Sequence, residues 1–160
     1  MQDLISEVIC FSANINAEKE ESPSTQNQSI IFIDHNISTL SKLFVQNYKC
    51  SSELFFLSPK ADGIAQIAGF LKHRPKRRSV HVFSHMPGGR LALAGRLLTA
   101  RDLHRRARDL APIGRAIAPG GELILGAGEE GGKQCQHILG FLEELLGVRV
   151  RLWEPLAAAP

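Results

Sequence analysis

A histidine follows directly on an apolar run that the sequence predicts to be a buried strand. The run covers residues 80–83, and after it come a serine, the histidine and a turn: Ser84, His85, Met86, Pro87, Gly88 and Gly89. Open α/β sheets bind their ligands at the carboxyl ends of their strands, and an imidazole transfers protons near neutral pH. The position of His85 therefore predicts a functional site at that edge of the sheet.

A glycine-rich segment follows a second apolar strand, residues 122–125. It has the spacing GxGxxG, in which glycines let backbone N–H groups approach a diphosphate, and it reads Gly126, Ala127, Gly128, Glu129, Glu130 and Gly131. Glu154 follows the next strand, where a dinucleotide-binding fold places its ribose-binding acid. The two adjacent glutamates would repel a diphosphate, so nucleotide binding is one alternative and a plain strand–helix turn is the other.

The three cysteines, Cys10, Cys50 and Cys135, are scattered and form no CxxC pair. This pattern predicts free thiols rather than disulfides or a zinc site, and we expect neither a metal nor a cofactor. Cys135 lies near the start of a predicted helix, where a thiol can have a lowered pKa. It is therefore either a candidate nucleophile or a half-buried structural residue.

Charge is distributed unevenly along the chain. Residues 1–70 hold 4 Lys and 8 acidic residues, whereas residues 71–160 hold 3 Lys, 12 Arg and 8 acidic residues. Part of the basic excess lies on one predicted helix: Arg101, Arg105, Arg106 and Arg108. Such a surface can attract anionic partners. Since no aromatic residues alternate with these arginines to stack on bases, we expect the solvated face of a helix.

Apolar periodicity predicts strands that alternate with helices. The predicted strands are 29–34, 52–57, 79–84, 91–93, 122–125 and 148–153, and the predicted helices are 37–47, a helix capped by Asp62, another capped by Thr99 that continues through 112–118, and 133–146. This alternation indicates a three-layer α/β/α sandwich with a mostly parallel sheet, Rossmann-like in topology. We expect the first and third strands to be central. Asp34, at the end of the first, either borders the cleft or caps the following helix.

Residues 1–28 are predicted to be a flexible N-terminal segment and linker, and residues 29–160 the folded domain. No apolar run of membrane-spanning length occurs, and Asp3 and Glu7 argue against a secretory signal peptide. A complete chain would accordingly be cytoplasmic.

Residues 29–152 resemble an uncharacterised bacterial domain family with a caspase- and gingipain-like fold, found near the N-termini of large repeat-bearing surface proteins. The resemblance rests on the order and spacing of several pieces: 31–34, 57–59 with 62–68, 80–85 with 87–88, 91–93, 98–100 with Leu103, 123–125 and 142–150. If the chain is part of such a protein, the resemblance implies a surface or secreted location.

The resemblance implies a catalytic histidine at His85 and a nucleophilic cysteine after the next strand. The family's strand usually ends Tyr-Gly-Cys, but here Gly126, Ala127 and Gly128 stand there, so glycine occupies the nucleophile position. The family usually has glycine where Met86 stands, and methionine would crowd a turn that presents a substrate carbonyl.

We therefore expect an inactive caspase-like binding or scaffold domain that holds a protein or peptide segment at the cleft. A cysteine peptidase that uses His85 and a relocated Cys135 is an alternative. The predicted binding residues are Asp34, Ser84, Met86, Gly88, Gly126 and Glu129.

Overall fold

Five strands form one parallel sheet in a computed structural model, which describes residues 29–37, 52–126 and 135–153. In chain order the strands are β1 (Ser29–Asp34), β2 (Ser52–Leu57), β3 (Arg77–Phe83), β4 (Leu91–Leu93), β5 (Arg96–Leu98), β6 (Ile117–Gly126) and β7 (Arg149–Leu152). The sheet order is β2-β1-β3-β6-β7, and β4 and β5 form a separate antiparallel hairpin. The predicted α/β fold with a parallel sheet is confirmed, and β1 and β3 are interior strands as expected.

The described ranges contain four helices that connect these strands, and local capping explains where several of them begin and end. They are α1 (Gly63–Leu71), α2 (Ala100–Arg105), α3 (Ala107–Arg115) and α4 (Gln136–Leu146). The Asp62 carboxylate accepts a hydrogen bond from the Ala65 N–H at 2.9 Å, as an N-cap does. Thr99 caps α2, and Gly147, with φ of 65°, ends α4 in the left-handed conformation that glycine favours.

The larger part of the core lies between the sheet and these helices. It contains alternate strand residues such as Phe32, Val82 and Leu125, together with Ile64 and Leu142 from the helices. Ile31, Ile33, Ile37 and Phe83 form a second cluster on the opposite face. The helix predicted for residues 37–47, which would cover that face, lies outside the described residues apart from Ile37.

Several predicted boundaries were wrong, and the largest error concerns the start of β6. Residues 112–118 were expected to be a helical turn, but α3 ends at Arg115 and β6 begins at Ile117. Ile117 pairs with Arg77 before the register shifts, so the Pro119–Gly121 segment bulges out of the strand instead of ending a helix. The helix after Thr99 is also divided in two at Arg106, whose φ of −103° and ψ of 19° interrupt it.

Smaller errors affect the bounds of three other elements: β3 begins at Arg77 and ends at Phe83, β7 covers Arg149–Leu152, and α4 begins at Gln136. The longest helix in the described ranges has 11 residues, and none of those helices has the length and apolarity needed to cross a membrane.

Candidate functional site

The carboxyl ends of the parallel strands bring the predicted site residues to one edge of the sheet. Ser84 directly follows β3, and its N–H donates to the Gly126 carbonyl at the end of β6 at 3.0 Å. Ser84 itself is fully buried, and its hydroxyl donates to the His85 carbonyl at 3.4 Å. Ser84 therefore stabilises the backbone beneath the site, and its hydroxyl is not exposed to a ligand.

His85 is exposed, and its backbone is fixed while its imidazole faces the rim of the sheet. The His85 carbonyl accepts a hydrogen bond from the Ala92 N–H at 2.9 Å, which ties it to the hairpin. The ring atom Nε2 lies 3.4 Å from the Asn36 carbonyl oxygen, in the turn after β1. This is a long contact for a hydrogen bond. Within residues 29–37, 52–126 and 135–153, the partner of this ring is thus a backbone carbonyl, and neither a thiol nor a carboxylate.

Asp34 is almost completely buried at the end of β1, where its carboxylate holds two turns. One oxygen accepts from the Ala94 N–H at 2.5 Å, and the other accepts from the Asn36 N–H at 3.1 Å and lies 3.1 Å from His35 Nδ1. Ala94 has a positive φ of 48° in the two-residue turn between β4 and β5, a conformation that costs a non-glycine residue free energy. The carboxylate therefore anchors the hairpin beside His85.

Met86 and Gly88 form the turn that follows His85. The Met86 side chain is buried in the core cluster, so the expectation that it crowds an open substrate-binding turn was wrong. Apolar burial draws it inward, whereas Gly88 in the same turn is exposed. Gly88 has φ of 57° and nothing within 4 Å of the position of a Cβ, so backbone conformation alone favours glycine there.

Gly126, the first glycine of the GxGxxG segment, has a packing role within the sheet. A Cβ at this position would lie 1.7 Å from Cδ1 of Phe83 on the neighbouring strand. The Phe83 ring occupies that space and makes an edge contact with Trp153, at 5.9 Å between ring centroids. The glycine at this position is thus explained without a phosphate. Gly128, Glu129 and the rest of the segment lie outside the described residues.

Cys135 is completely buried in the core between the sheet and the helices. Burial raises the pKa of its thiol above the usual value of 9.0, because a low-dielectric environment disfavours the thiolate. The lowered pKa expected for a thiol at a helix N-terminus was therefore wrong. Less thiolate at neutral pH means a weaker nucleophile.

His81 belongs to a polar row on the opposite face of the sheet. Its Nε2 lies 3.1 Å from Ser79 Oγ, which in turn lies 2.7 Å from Ser29 Oγ. Burial, with the nearby Arg151 charge, lowers the pKa of His81 to about 4. The imidazole is therefore neutral at physiological pH, as expected of a histidine packed in the core with polar partners.

The predicted basic surface is partly neutralised by ion pairs. Arg106 makes a bidentate contact with Asp62 at 2.6 and 2.8 Å, and its Nε lies 3.0 Å from Asp109. The hydrogen bond to Asp62 raises the pKa of Arg106, and the same bond lowers the pKa of Asp62. Arg106, expected on the solvated face of the helix, is thus only partly exposed and engaged in ion pairs, whereas Arg101, Arg105 and Arg108 are exposed.

Two arginines near the start of β3 are likewise engaged in ion pairs. Arg74 and Arg77 both pair with Glu53 of the edge strand β2, Arg77 at 2.7 Å. The Arg74 guanidinium also lies 3.8 Å from the centre of the Phe70 ring, a cation–π distance. These two arginines therefore connect the start of β3, and the turn before it, to the edge strand β2.

Sequence reasoning missed a groove of about 570 Å³ at the other end of the sheet, where the strands begin. It is lined by the amino ends of β6 and β7 and the last residues of α3 and α4, with Lys76, Arg115 and Arg149 at its sides. The signal was present in Pro119, Gly120 and Gly121, which were interpreted as the end of a helix. No cluster of three metal-ligating side chains occurs within residues 29–37, 52–126 and 135–153.

Comparison with known proteins shows that a family model matches the chain. The model describes a domain of unknown function (DUF4347), and it matches residues 30–152. This range contains His85, the hairpin and nearly the whole parallel sheet. No curated protein and no solved structure matches the chain. Since the model matches well over half of the sequence, the chain belongs to the DUF4347 family of domains of unknown function.

Proposed function

We propose that this chain is a non-catalytic domain of caspase-like descent that binds a protein or peptide segment at the carboxyl edge of its sheet. Asn36, His85 and Gly88 are exposed or lie in exposed turns at this edge. The core beneath them holds their backbone in place. Binding needs only such a preorganised rim, whereas cysteine catalysis also needs a thiolate within reach of the histidine.

One observation carries the proposal: the thiol nearest in sequence to the expected nucleophile position is inside the core. Cys135 has no exposed surface, and burial raises its pKa. Meanwhile the His85 ring lies against a backbone carbonyl, that of Asn36. The resemblance places the family's cysteine at Gly128, which has no side chain, so neither position supplies a nucleophile to His85.

The buried Asp34 carboxylate at the same edge has a structural role, which also supports the proposal. Asp34 accepts hydrogen bonds from Asn36 and Ala94, so both of its oxygens are engaged. A catalytic carboxylate would instead orient the imidazole. Here the carboxylate fixes the two turns on either side of His85 and thereby shapes a binding surface.

Nucleotide binding receives less support than the binding of a protein segment. Gly126, the first glycine of the GxGxxG segment, is explained by its packing against the Phe83 ring. Glu129 and Glu130, in the same segment, would repel a diphosphate. A relocated peptidase that uses Cys135 would require the thiol to leave the core, which costs the free energy of its burial.

The proposal is tested by peptide selection on the full chain with variants at opposite edges of the sheet. A displayed peptide library is selected on the wild type, and the affinity of each enriched peptide is then measured on His85→Ala and on Lys76→Ala. We expect peptides that lose at least tenfold in affinity on His85→Ala and are unchanged on Lys76→Ala. Enrichment of no peptide that depends on His85 would overturn the proposed binding edge.

Catalysis is tested in parallel with a mixture of fluorogenic peptides. We expect hydrolysis no faster than in buffer. Hydrolysis by the wild type that disappears in His85→Ala would contradict a non-catalytic domain.

A further inference from the structure

The open groove at the amino edge of the sheet lies at the opposite end of the strands from His85. Its floor includes Ile117 and Leu146, both buried, and its walls include Gly120 and Gly147. Its volume of about 570 Å³ is within the range of pockets that hold ligands or peptide segments. It is formed entirely by described residues.

The charged side chains that line this groove are all basic. Lys76, Arg115 and Arg149 line it, and no acidic side chain is among the described residues that do so. The carboxyl ends of α3 and α4 also face it, and each contributes about −0.5 charge. Three basic residues outweigh two helix ends and the nearby Glu122, whose charge interacts with that of Arg149, so the net charge at the groove is positive and suits an anionic occupant.

The chain itself contains an acidic segment, which precedes β1 in the sequence. Residues 1–28 contain five acidic residues and one lysine, and three of the acids lie close together at Glu18, Glu20 and Glu21. This segment leads directly into β1 at Ser29, which pairs with Ser79 just inside the amino end of β3. All five strands of the sheet are parallel, so β1 begins at the edge where the groove opens.

The distance between the acidic run and the groove is short enough for contact within one chain. From β1 across β3 to β6 there are two strand spacings, or about 10 Å. The eight peptide steps from Glu21 to Ser29 can extend to about 26 Å. The linker between Glu21 and Ser29 is therefore longer than the distance across the strands, and the acidic run can reach the groove.

We infer that the acidic run Glu18–Glu21 of the same chain occupies the basic groove formed by Lys76, Arg115 and Arg149. Ion pairing at the groove walls holds the carboxylates, and the apolar floor reduces screening by water. The occupant covers the amino edge of the sheet. An external acidic partner must displace it in order to bind there. The inference is independent of the proposed function, because it concerns the opposite edge.

A carbodiimide reaction on the full chain tests this contact directly. The reagent joins a glutamate carboxylate to a nearby lysine amine with loss of water, and mass spectrometry locates the joined pair. Lys76 is in the groove, while Lys60, exposed after β2, lies at the carboxyl edge and serves as the internal control. A mixture of ¹⁵N-labelled and unlabelled chains separates bonds within one chain from bonds between two chains.

We expect Glu18, Glu20 or Glu21 to join Lys76 at least fivefold more often than Lys60, within single chains. The preference should disappear in 1 M salt, which screens charges beyond about 3 Å, and in the variant Arg115→Glu/Arg149→Glu. Lys76→Arg keeps the charge and removes the amine, so it should remove the product. Equal joining to Lys60 and Lys76, or products found only between two chains, would overturn the inference.

Discussion

Phe83 and Gly126 are complementary across two neighbouring strands: the phenyl ring fills the space that a side chain at residue 126 would need. An ideal Cβ on Gly126 would lie 1.7 Å from Phe83 Cδ1 and 2.2 Å from Cε1. The two residues are paired in register at the carboxyl ends of β3 and β6. This contact positions the strand ends directly below His85, so packing at this point controls the proposed binding edge.

Gly126→Ala should lower the free energy of unfolding by about 3 kcal/mol, because the added methyl group overpacks the contact with Phe83. Phe83→Leu in the same chain should recover part of the loss by shortening the side chain. Urea unfolding of both single variants and the double variant gives the coupling, expected at about 1 kcal/mol or more.

Gly140→Ala is the control for this change, since nothing lies within 4 Å of its Cβ position in α4. It should stabilise the fold by about 0.5–1 kcal/mol, because alanine favours a helix over glycine. If Gly126→Ala lowers the free energy of unfolding no more than Gly140→Ala does, the Phe83 contact is absent in solution.

Arg106→Gln should lower the free energy of unfolding by about 1 kcal/mol at pH 7, because it removes the bidentate contact that joins α1 to α3. The variant leaves the Asp62 cap on α1 intact. Arg105→Gln, at an exposed neighbouring position, should change stability by less than about 0.5 kcal/mol. Chemical unfolding of the three chains measures the difference.

The pH dependence of that difference follows from Asp62. Its pKa in the folded state lies below the usual 3.8, so the unfolded chain takes up the proton first as pH falls. The stabilisation is complete above about pH 4 and disappears as pH falls below 3.8 through the folded pKa. A difference between wild type and Arg106→Gln that stays constant from pH 7 to pH 3 would contradict the assigned pair.

His81 should destabilise the fold in mild acid. The pKa of His81 falls from its usual 6.5 to about 4 in the folded protein, so the unfolded chain binds a proton at a higher pH than the folded chain does. The free energy of unfolding therefore suffers no loss from His81 above pH 6.5. Between pH 6.5 and 4 this group lowers it by up to about 3 kcal/mol. In His81→Gln this decrease should be absent.

The measurement is the free energy of unfolding at pH 7, 6, 5 and 4. His85→Gln is the matched control, since it makes the same substitution at an exposed histidine. Equal slopes in wild type and His81→Gln would show that the imidazole is not kept neutral by burial.

The strands that position the site were predictable because burial leaves a direct mark on sequence. Ile30 to Ile33 form an uninterrupted apolar run, and the predicted bounds of β1 and β2 match the structure. β6 was harder, because its first residues include Pro119 and Gly120, which usually mark a turn. Ile117 pairs with Arg77, which lies 40 positions earlier in the chain, so no local pattern predicts this pairing.

The site residues were predictable in position but less so in role. The order of strands and turns located His85 at the carboxyl edge. The partner of Asp34, however, is the N–H of Ala94, 60 residues later, and no local pattern shows that contact. The same limit applies to Cys135: helical periodicity predicts its helix, whereas only tertiary packing determines that its thiol is buried.

The most direct test of a non-catalytic site is the reactivity of the Cys135 thiol. The labelling rate with a thiol-reactive electrophile is measured between about pH 6 and 8 in a Cys10→Ser/Cys50→Ser background, with and without His85→Ala. We predict slow labelling that is indifferent to His85, because the thiol is buried and its pKa is raised. Fast labelling at pH 6 that depends on His85 would show an activated thiolate and contradict the account.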